Sequence, residues 1–381
     1  MRRRSSESLQ RRAQCAIVGG VDLQEISGHV VSVAALQQGG LTRAGRRSAV
    51  DAGLLVPVRR GWYVSGDVWR AWHREQRHLT QALAAWKAIG ATSGAVLSHT
   101  CAAAAHGLPL FRLAPRQVHV IDPRSDGRVR PPSLTPPTPG ATVGPSTPLR
   151  TTPFVARHAV ALGAGDVVHI AGVAVTDLPR TVGDLIGRVR PETAVALADA
   201  ALRKWAWDDG SLSYDDTGAQ AFTAQVRASP ALQRGQRGVV QARWVLDFAD
   251  GRAQGPGESV SRLYLHLLGF AAPRLQVRIA LETSTHYLDF GLDDVGAWGE
   301  FDGEGKYFDR EMTHGADALD VLRAEKQRED SIRAATGRIL ARWGMKHLSS
   351  VAALGQQLAL YGIRPPIRQR SLPAPVRAPA L

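Results

Sequence analysis

Apolar and polar positions alternate with period two along Tyr287-Leu288-Asp289-Phe290-Gly291-Leu292, placing Leu288, Phe290 and Leu292 on one face and Tyr287, Asp289 and Gly291 on the other. That alternation predicts a half-buried strand. Gly299-Glu300-Phe301-Asp302-Gly303 repeats it, and the turn formers Asp293, Asp294 and Gly296 lie between, so the two runs read as a hairpin. With the turn centred between Asp294 and Val295, Asp289 falls opposite Glu300, their Cβ atoms roughly 4.5–5.5 Å apart. Upstream the period changes. Val260, Leu263, Tyr264, Leu267 and Leu268 recur at helical spacing after Pro256-Gly257-Glu258-Ser259, and Gly269 stops the helix. Glu258 sits in its first turn. Downstream, residues 316–335 read as a charged helix and Arg338 to Trp343 as an alternating strand.

The N-terminal half gives shorter elements. Helices are predicted over Val33 to Gln38 and Thr42 to Ala52, the second capped by Thr42 and stopped by Gly53, followed by β segments at Leu54 to Val58 and Trp62 to Val64. Further helices are expected at Gln76 to Ile89, Ser98 to His106, Arg180 to Val189 and Glu192 to Lys204, with strands at Val118 to Asp122, Val167 to Ile170 and Val173 to Thr176. Val240, Trp244, Val245 and Phe248 mark one more amphipathic helix. The density of Pro, Thr and Gly over residues 131–148 reads as an exposed linker, and the closing Pro-rich residues read as a disordered tail. The division is then a basic tail (1–28), a helix-turn-helix with a hairpin wing (29–64), a small α/β middle domain (65–215), a connecting helical segment (216–250), an α/β domain (251–348) and a C-terminal helix and tail (349–381). The fold class is α/β multidomain.

Candidate chemistry concentrates on the hairpin. Two carboxylates facing each other repel unless a proton or a cation lies between them, and a hard divalent ion with oxygen ligands is the usual solution. Asp289 and Glu300 are the primary metal-ligand candidates. Asp302 faces the same way as Glu300 and completes the set, and Glu258 ligates directly or orients a water.

The order helix, hairpin, helix, strand, with Glu258, Leu288-Asp289 and Glu300-Phe301-Asp302-Gly303, resembles the restriction-endonuclease-like fold of the PD-(D/E)XK nucleases. It is more closely similar to the small Vsr-like endonuclease domains, over about Gly255 to Leu348. The resemblance implies metal-assisted phosphodiester hydrolysis with Mg²⁺ or Mn²⁺. It also implies a lysine two residues after the strand glutamate; here that place holds Asp302, leaving Lys306 or Lys326 to reach in. In the N-terminal part, Leu41-Thr42-Arg43, the run Ala52 to Val64, and Ser98-His99-Thr100-Cys101-Ala102 through His106-Gly107-Leu108 resemble the AbiEi-type antitoxins of type IV toxin-antitoxin systems. That resemblance implies a winged helix reading DNA through Arg43, Arg46, Arg47 and Ser48, with Arg59 and Arg60 in the wing. It also implies a cognate toxin as a further partner. Homodimerisation is compatible with such repressors, which often read paired half-sites. The alternatives are a non-catalytic antitoxin or autorepressor and a nuclease toxin.

Composition adjusts this picture in three ways. The chain of 381 residues carries a formal charge of +13, which favours polyanionic partners and salt-sensitive binding. Cys15 and Cys101 are the only cysteines, which excludes a disulfide framework and a Cys-rich zinc site. No apolar run approaches the roughly 20 residues of a membrane span, so a cytoplasmic protein without membrane partners is expected. H-E-x-x-H, Walker A and G-x-S-x-G motifs are all absent from the sequence. His99 and His106, seven apart, read as packing or capping residues because neither has a carboxylate partner nearby in the sequence.

Overall fold

A computed structural model describes residues 23–90, 93–122, 154–281, 284–303 and 316–372. The Pro-rich 131–148 segment, the basic residues of the first 22 positions and Lys306 lie outside them. The fold is mixed α/β, and the chain divides into two compact units, residues 20–189 with 228–233 and residues 190–227 with 234–376.

The first unit begins with α1 (Leu23–His29), whose Leu23 and Ile26 are fully buried although this stretch reads as tail in the sequence. There follow β1 (Val31–Ser32), α2 (Val33–Gln38), α3 (Arg43–Asp51), β2 (Leu55–Arg59) and β3 (Trp62–Ser65), with β3 central in a three-stranded sheet. Thr42 caps α3 by accepting the Gly45 amide at 3.1 Å. Next come α4 (Gly66–Ala71), α5 (Arg74–Ile89), β4 (Val96–Leu97), α6 (His99–Ala105), β5 (Gln117–Ile121), β6 (Phe154–His158), β7 (Val167–Ile170), β8 (Val173–Thr176) and α7 (Leu178–Ile186). The five strands from β4 to β8 form one sheet in the order β6-β5-β4-β8-β7. Its core is built from alanine-rich helices. Every side chain of α6 is buried, because Ala102, Ala103, Ala104 and Ala105 let the helix lie close against its neighbours.

The second unit contains α8 (Pro191–Ala206), the short pair β9 (Trp207–Asp208) and β10 (Ser213–Tyr214), α9 (Asp216–Ala228), α10 (Val239–Phe248) and α11 (Pro256–Leu268). The sheet follows as β11 (Arg274–Ala280), β12 (Thr285–Leu292) and β13 (Ala297–Asp302), then α12 (Ala316–Thr336), β14 (Ile339–Gly344) and α13 (Val351–Leu360). Strand order is β11-β12-β13-β14; the first three are antiparallel, and β14 returns parallel to β13 through α12. The edge strand β11 adds to the hairpin read in the sequence. It alternates Leu275, Val277 and Ile279 like its neighbours.

Two devices fix α11 on this sheet. The buried Trp343 donates its indole N–H to Ser261 Oγ at 2.8 Å and stacks on Phe290, and Gly299 provides the space its ring occupies. A Cβ at Gly257 would come within 2.1 Å of Phe301, so glycine at that point lets the helix start lie directly on the β13 end. On the far side, Arg262 pairs with the buried Asp199 of α8 at 2.8 and 2.9 Å and donates to Phe248 O at 2.7 Å. The Asp250 amide also donates to Asp199, so one carboxylate ties α8 to α11 and to the segment after α10. The tail is anchored in part: the Arg370 amide donates to Leu267 O, and its guanidinium donates to Phe270 O at 2.6 Å.

Candidate functional site

The register of the hairpin is the one its turn chemistry requires: Phe290 pairs with Gly299, Gly291 with Trp298 and Leu292 with Ala297. One step further along, the regular ladder gives way to a side-chain contact. Asp289 Oδ2 accepts the Phe301 amide at 2.8 Å, which brings its carboxylate beside Glu300 on β13. On the other side of β12, the β11 ladder skips one position, between Leu275–Phe290 and Val277–Leu288. The skipped residue of β11 is Gln276, which has φ of 51°, a left-handed value that a non-glycine side chain adopts at a cost. This kink aims Gln276 at α11, where its Nε2 donates to Glu258 Oε2 at 3.2 Å while its Oε1 accepts from Gln254 Nε2.

Glu258 is buried, and its Oε2 also accepts the Gln254 amide at 2.9 Å. Burial and then the nearby negative charge of Asp289 push its carboxyl well above the usual range, against the two hydrogen bonds and the pull of Arg203. Two carboxylates of the expected set therefore share one desolvated place, and their repulsion is relieved by a proton or a cation.

Glu300 is buried too but is neutralised within the protein. Arg328 from α12 approaches its Oε1 at 2.5 Å, and Arg342 from β14 approaches its Oε2 at 3.0 Å. The parallel β13–β14 register pairs Glu300 with Arg342 directly, so the ion pair follows from strand position. Burial opposes the charge on Arg342, yet Glu300, Asp302, Glu325 and Glu329 outweigh it and hold the guanidinium above its ordinary value. Lys326 is exposed on α12. Sequence reading missed Gln254, Gln276, Arg328 and Arg342 as site residues; strand register brings in Arg342, the β11 kink brings in Gln276, and Gln254 and Arg328 enter from just before α11 and from α12.

Neither the family-model search nor the search of solved structures found a match. Two uncharacterized proteins of Mycobacterium tuberculosis, Rv2248 of strain H37Rv and MT2308 of strain CDC 1551, are each 32% identical to this chain over 111 residues. That stretch is 29% of this chain and 36% of each mycobacterial protein, so the chain spans about a third of the length of the relatives it matches.

In the first unit, Arg43, Arg47, Ser48 and Arg60 are exposed. Arg46 turns inward, its guanidinium 6.0 Å from the Tyr63 ring centroid, with Nη1 buried and without a hydrogen-bond partner. Arg59 is half-buried, and its pKa is lowered by burial and by the charge of Arg157. Elsewhere in this unit, His106 is a buried structural residue whose Nε2 donates to Thr176 O at 2.7 Å. His99, in contrast, stacks with His119 and His158. Nothing in the sequence pattern marks the last two, which lie in strands at ordinary alternating positions. Among the described residues, no helix is long and apolar enough to cross a membrane.

Removing the Glu258 charge has an effect with a fixed sign. A group whose folded pKa is raised favours the folded state at low pH, and that contribution is lost as pH rises through the folded value. Glu258→Gln is therefore expected to raise the melting temperature above wild type at about pH 8, with the difference shrinking towards about pH 4, in paired thermal melts.

Proposed function

We propose that the chain is a DNA-binding protein of the AbiEi antitoxin-like class whose second unit is a restriction-endonuclease-like domain with a Mg²⁺-dependent endonuclease site. The observation that carries this reading is the order of elements around the carboxylates. A helix bearing Glu258 leads into three antiparallel strands, the second and third bearing Asp289 and Glu300, and a helical crossover leads to a parallel fourth strand. The donor set fits a hard cation: Glu258 and Asp289 repel at close range, and all the candidate ligands are oxygens. Asp289, Glu300 and Asp302 would hold the ion, with Glu258 ligating or orienting a water.

When bound, Mg²⁺ polarises a phosphate oxygen and makes a coordinated water more acidic. The chain's own residues then divide the remaining work. Gln276 and the Gln254 amide hold Glu258 in one orientation, and the Phe301 amide holds Asp289. Arg328 and Arg342 place positive charge beside Glu300, where the family's lysine would otherwise stabilise the phosphorane. A second reading, a non-catalytic antitoxin or autorepressor, is favoured by those same two arginines. Glu300 is already paired on both oxygens, so coordination requires a guanidinium to move.

Cleavage of supercoiled plasmid by the purified chain, with Mg²⁺ and with EDTA, separates the readings. Metal-dependent nicking supports the endonuclease; intact plasmid under every metal, with DNA binding retained, supports the regulator. Within the winged-helix reading, the exposed Arg43, Arg47 and Arg60 are the phosphate and groove contacts. Each alanine substitution is expected to lower the slope of log K against log[salt] by about 1, measured by fluorescence anisotropy on duplex DNA, while Arg46→Ala changes it little.

A further inference from the structure

Three histidines from three separate elements of the first unit meet on one face of its sheet. His99 opens α6, His119 lies on β5 and His158 on β6, and the parallel β5–β6 register pairs Ile121 with His158, placing His119 and His158 diagonally on the same side. Each offers a ring nitrogen within 4.8 Å of the others, and His119 Nδ1 lies 3.0 Å from His158 Nε2. Two nitrogens bound to one tetrahedral ion at about 2.0–2.1 Å stand roughly 3.3 Å apart, so the His119–His158 pair is already near ligand spacing and His99 has to close in from within 4.8 Å.

Two independent features set the cluster apart from ordinary packed histidines. His119 is 2% exposed and is held from one nitrogen only: its Nδ1 faces His158, while its Nε2 has no hydrogen-bond partner. His99 has φ of 50°, a strained value for a side chain of its size, at the point where the chain turns from β4 into α6. That turn carries the His99 ring onto the other two, 4.4 Å from the His158 ring centroid, and its Nδ1 is fixed against Ser98 Oγ at 3.1 Å. A hydrogen bond from one ring nitrogen that orients the other is the usual support for a metal-binding imidazole.

We propose that His99, His119 and His158 form a transition-metal site, with Zn²⁺ as the ion that suits three imidazoles and no thiolate. The rings are desolvated and lie near Arg188; a metal takes each as the neutral imidazole. Three protein ligands leave a fourth position open. An anion there, either hydroxide or an inorganic oxyanion such as phosphate, would supply the negative charge that three neutral imidazoles lack, beside the positive charge of Arg188.

The test is a Zn²⁺ titration of chelator-stripped full-length chain against a competing chromophoric chelator, with Co²⁺ absorption as a second readout. One equivalent per chain is expected, with visible bands of tetrahedral Co²⁺. His119→Gln and His99→Asn should each weaken it at least tenfold, whereas Asp289→Asn should leave it unchanged. Asn tolerates the left-handed backbone at position 99, so His99→Asn keeps the test valid where His119→Gln fails to fold. Folded wild type that binds no Zn²⁺ overturns the proposal, as does stoichiometric binding that survives His99→Asn or disappears with Asp289→Asn.

Discussion

Plasmid cleavage by Asp289→Asn is expected to fall by about 10²–10³-fold in kcat/KM relative to wild type, with Glu300→Gln equal or lower, because each removes a charged ligand worth several kcal/mol at roughly 1.4 kcal/mol per decade. The two substitutions act differently on what remains. Asp289→Asn preserves shape and keeps an oxygen that can accept the Phe301 amide, so the β12–β13 end keeps its geometry while the charge that repels Glu258 disappears. Glu300→Gln leaves Arg328 and Arg342 without their shared counter-ion. A lower melting temperature is therefore expected for Glu300→Gln but not for Asp289→Asn. Steady-state kinetics and thermal melts on the same preparations check both halves; equal cleavage by wild type and Asp289→Asn contradicts the assignment of the site.

The largest effect on stability is expected away from the carboxylates, at Arg262. Asp199 is fully buried and Arg262 nearly so, and the guanidinium also lies over the Phe248 ring at 4.3 Å. Burial raises the Asp199 pKa, and Arg262 is the chief force holding it down. Arg262→Ala strands a desolvated carboxylate at the junction of α8, α10 and α11, with an expected loss of about 3–5 kcal/mol. A paired Asp199→Leu, Arg262→Met variant removes both charges and is expected to recover most of that loss, since the cost lies in the unpaired ion. Urea denaturation followed by tryptophan fluorescence measures both. Because this pair seats α11, it also positions Glu258, and Arg262→Ala is expected to reduce cleavage together with stability.

Much of the second unit was legible in the sequence because its signals are local. The turn residues Asp293, Asp294 and Gly296 set the hairpin register, and helical spacing with Gly269 set the extent of α11. What was illegible depends on pairing between distant segments. Arg342 meets Glu300 only because β14 returns in parallel register after a 21-residue helix. Gln276 reaches Glu258 through a local backbone kink that its own residue type does not announce. Likewise, His119 and His158 are 39 residues apart and become neighbours only when β5 and β6 pair. β11 carried a readable alternation, but its place beside β12 rests on a connection without strong turn chemistry. Leu23 and Ile26 gave too short a pattern to mark α1 within a basic stretch.

Whether Asp289, Glu300 and Asp302, with Glu258 beside them, form a divalent-cation site is decided by titrating Mn²⁺ into the chain and following the free-ion signal by electron paramagnetic resonance. Saturable loss of that signal is expected, competed by excess Mg²⁺, abolished by Asp289→Asn and retained by His99→Asn. A free-ion signal that rises without saturation in wild type, or saturation indifferent to Asp289→Asn, contradicts it.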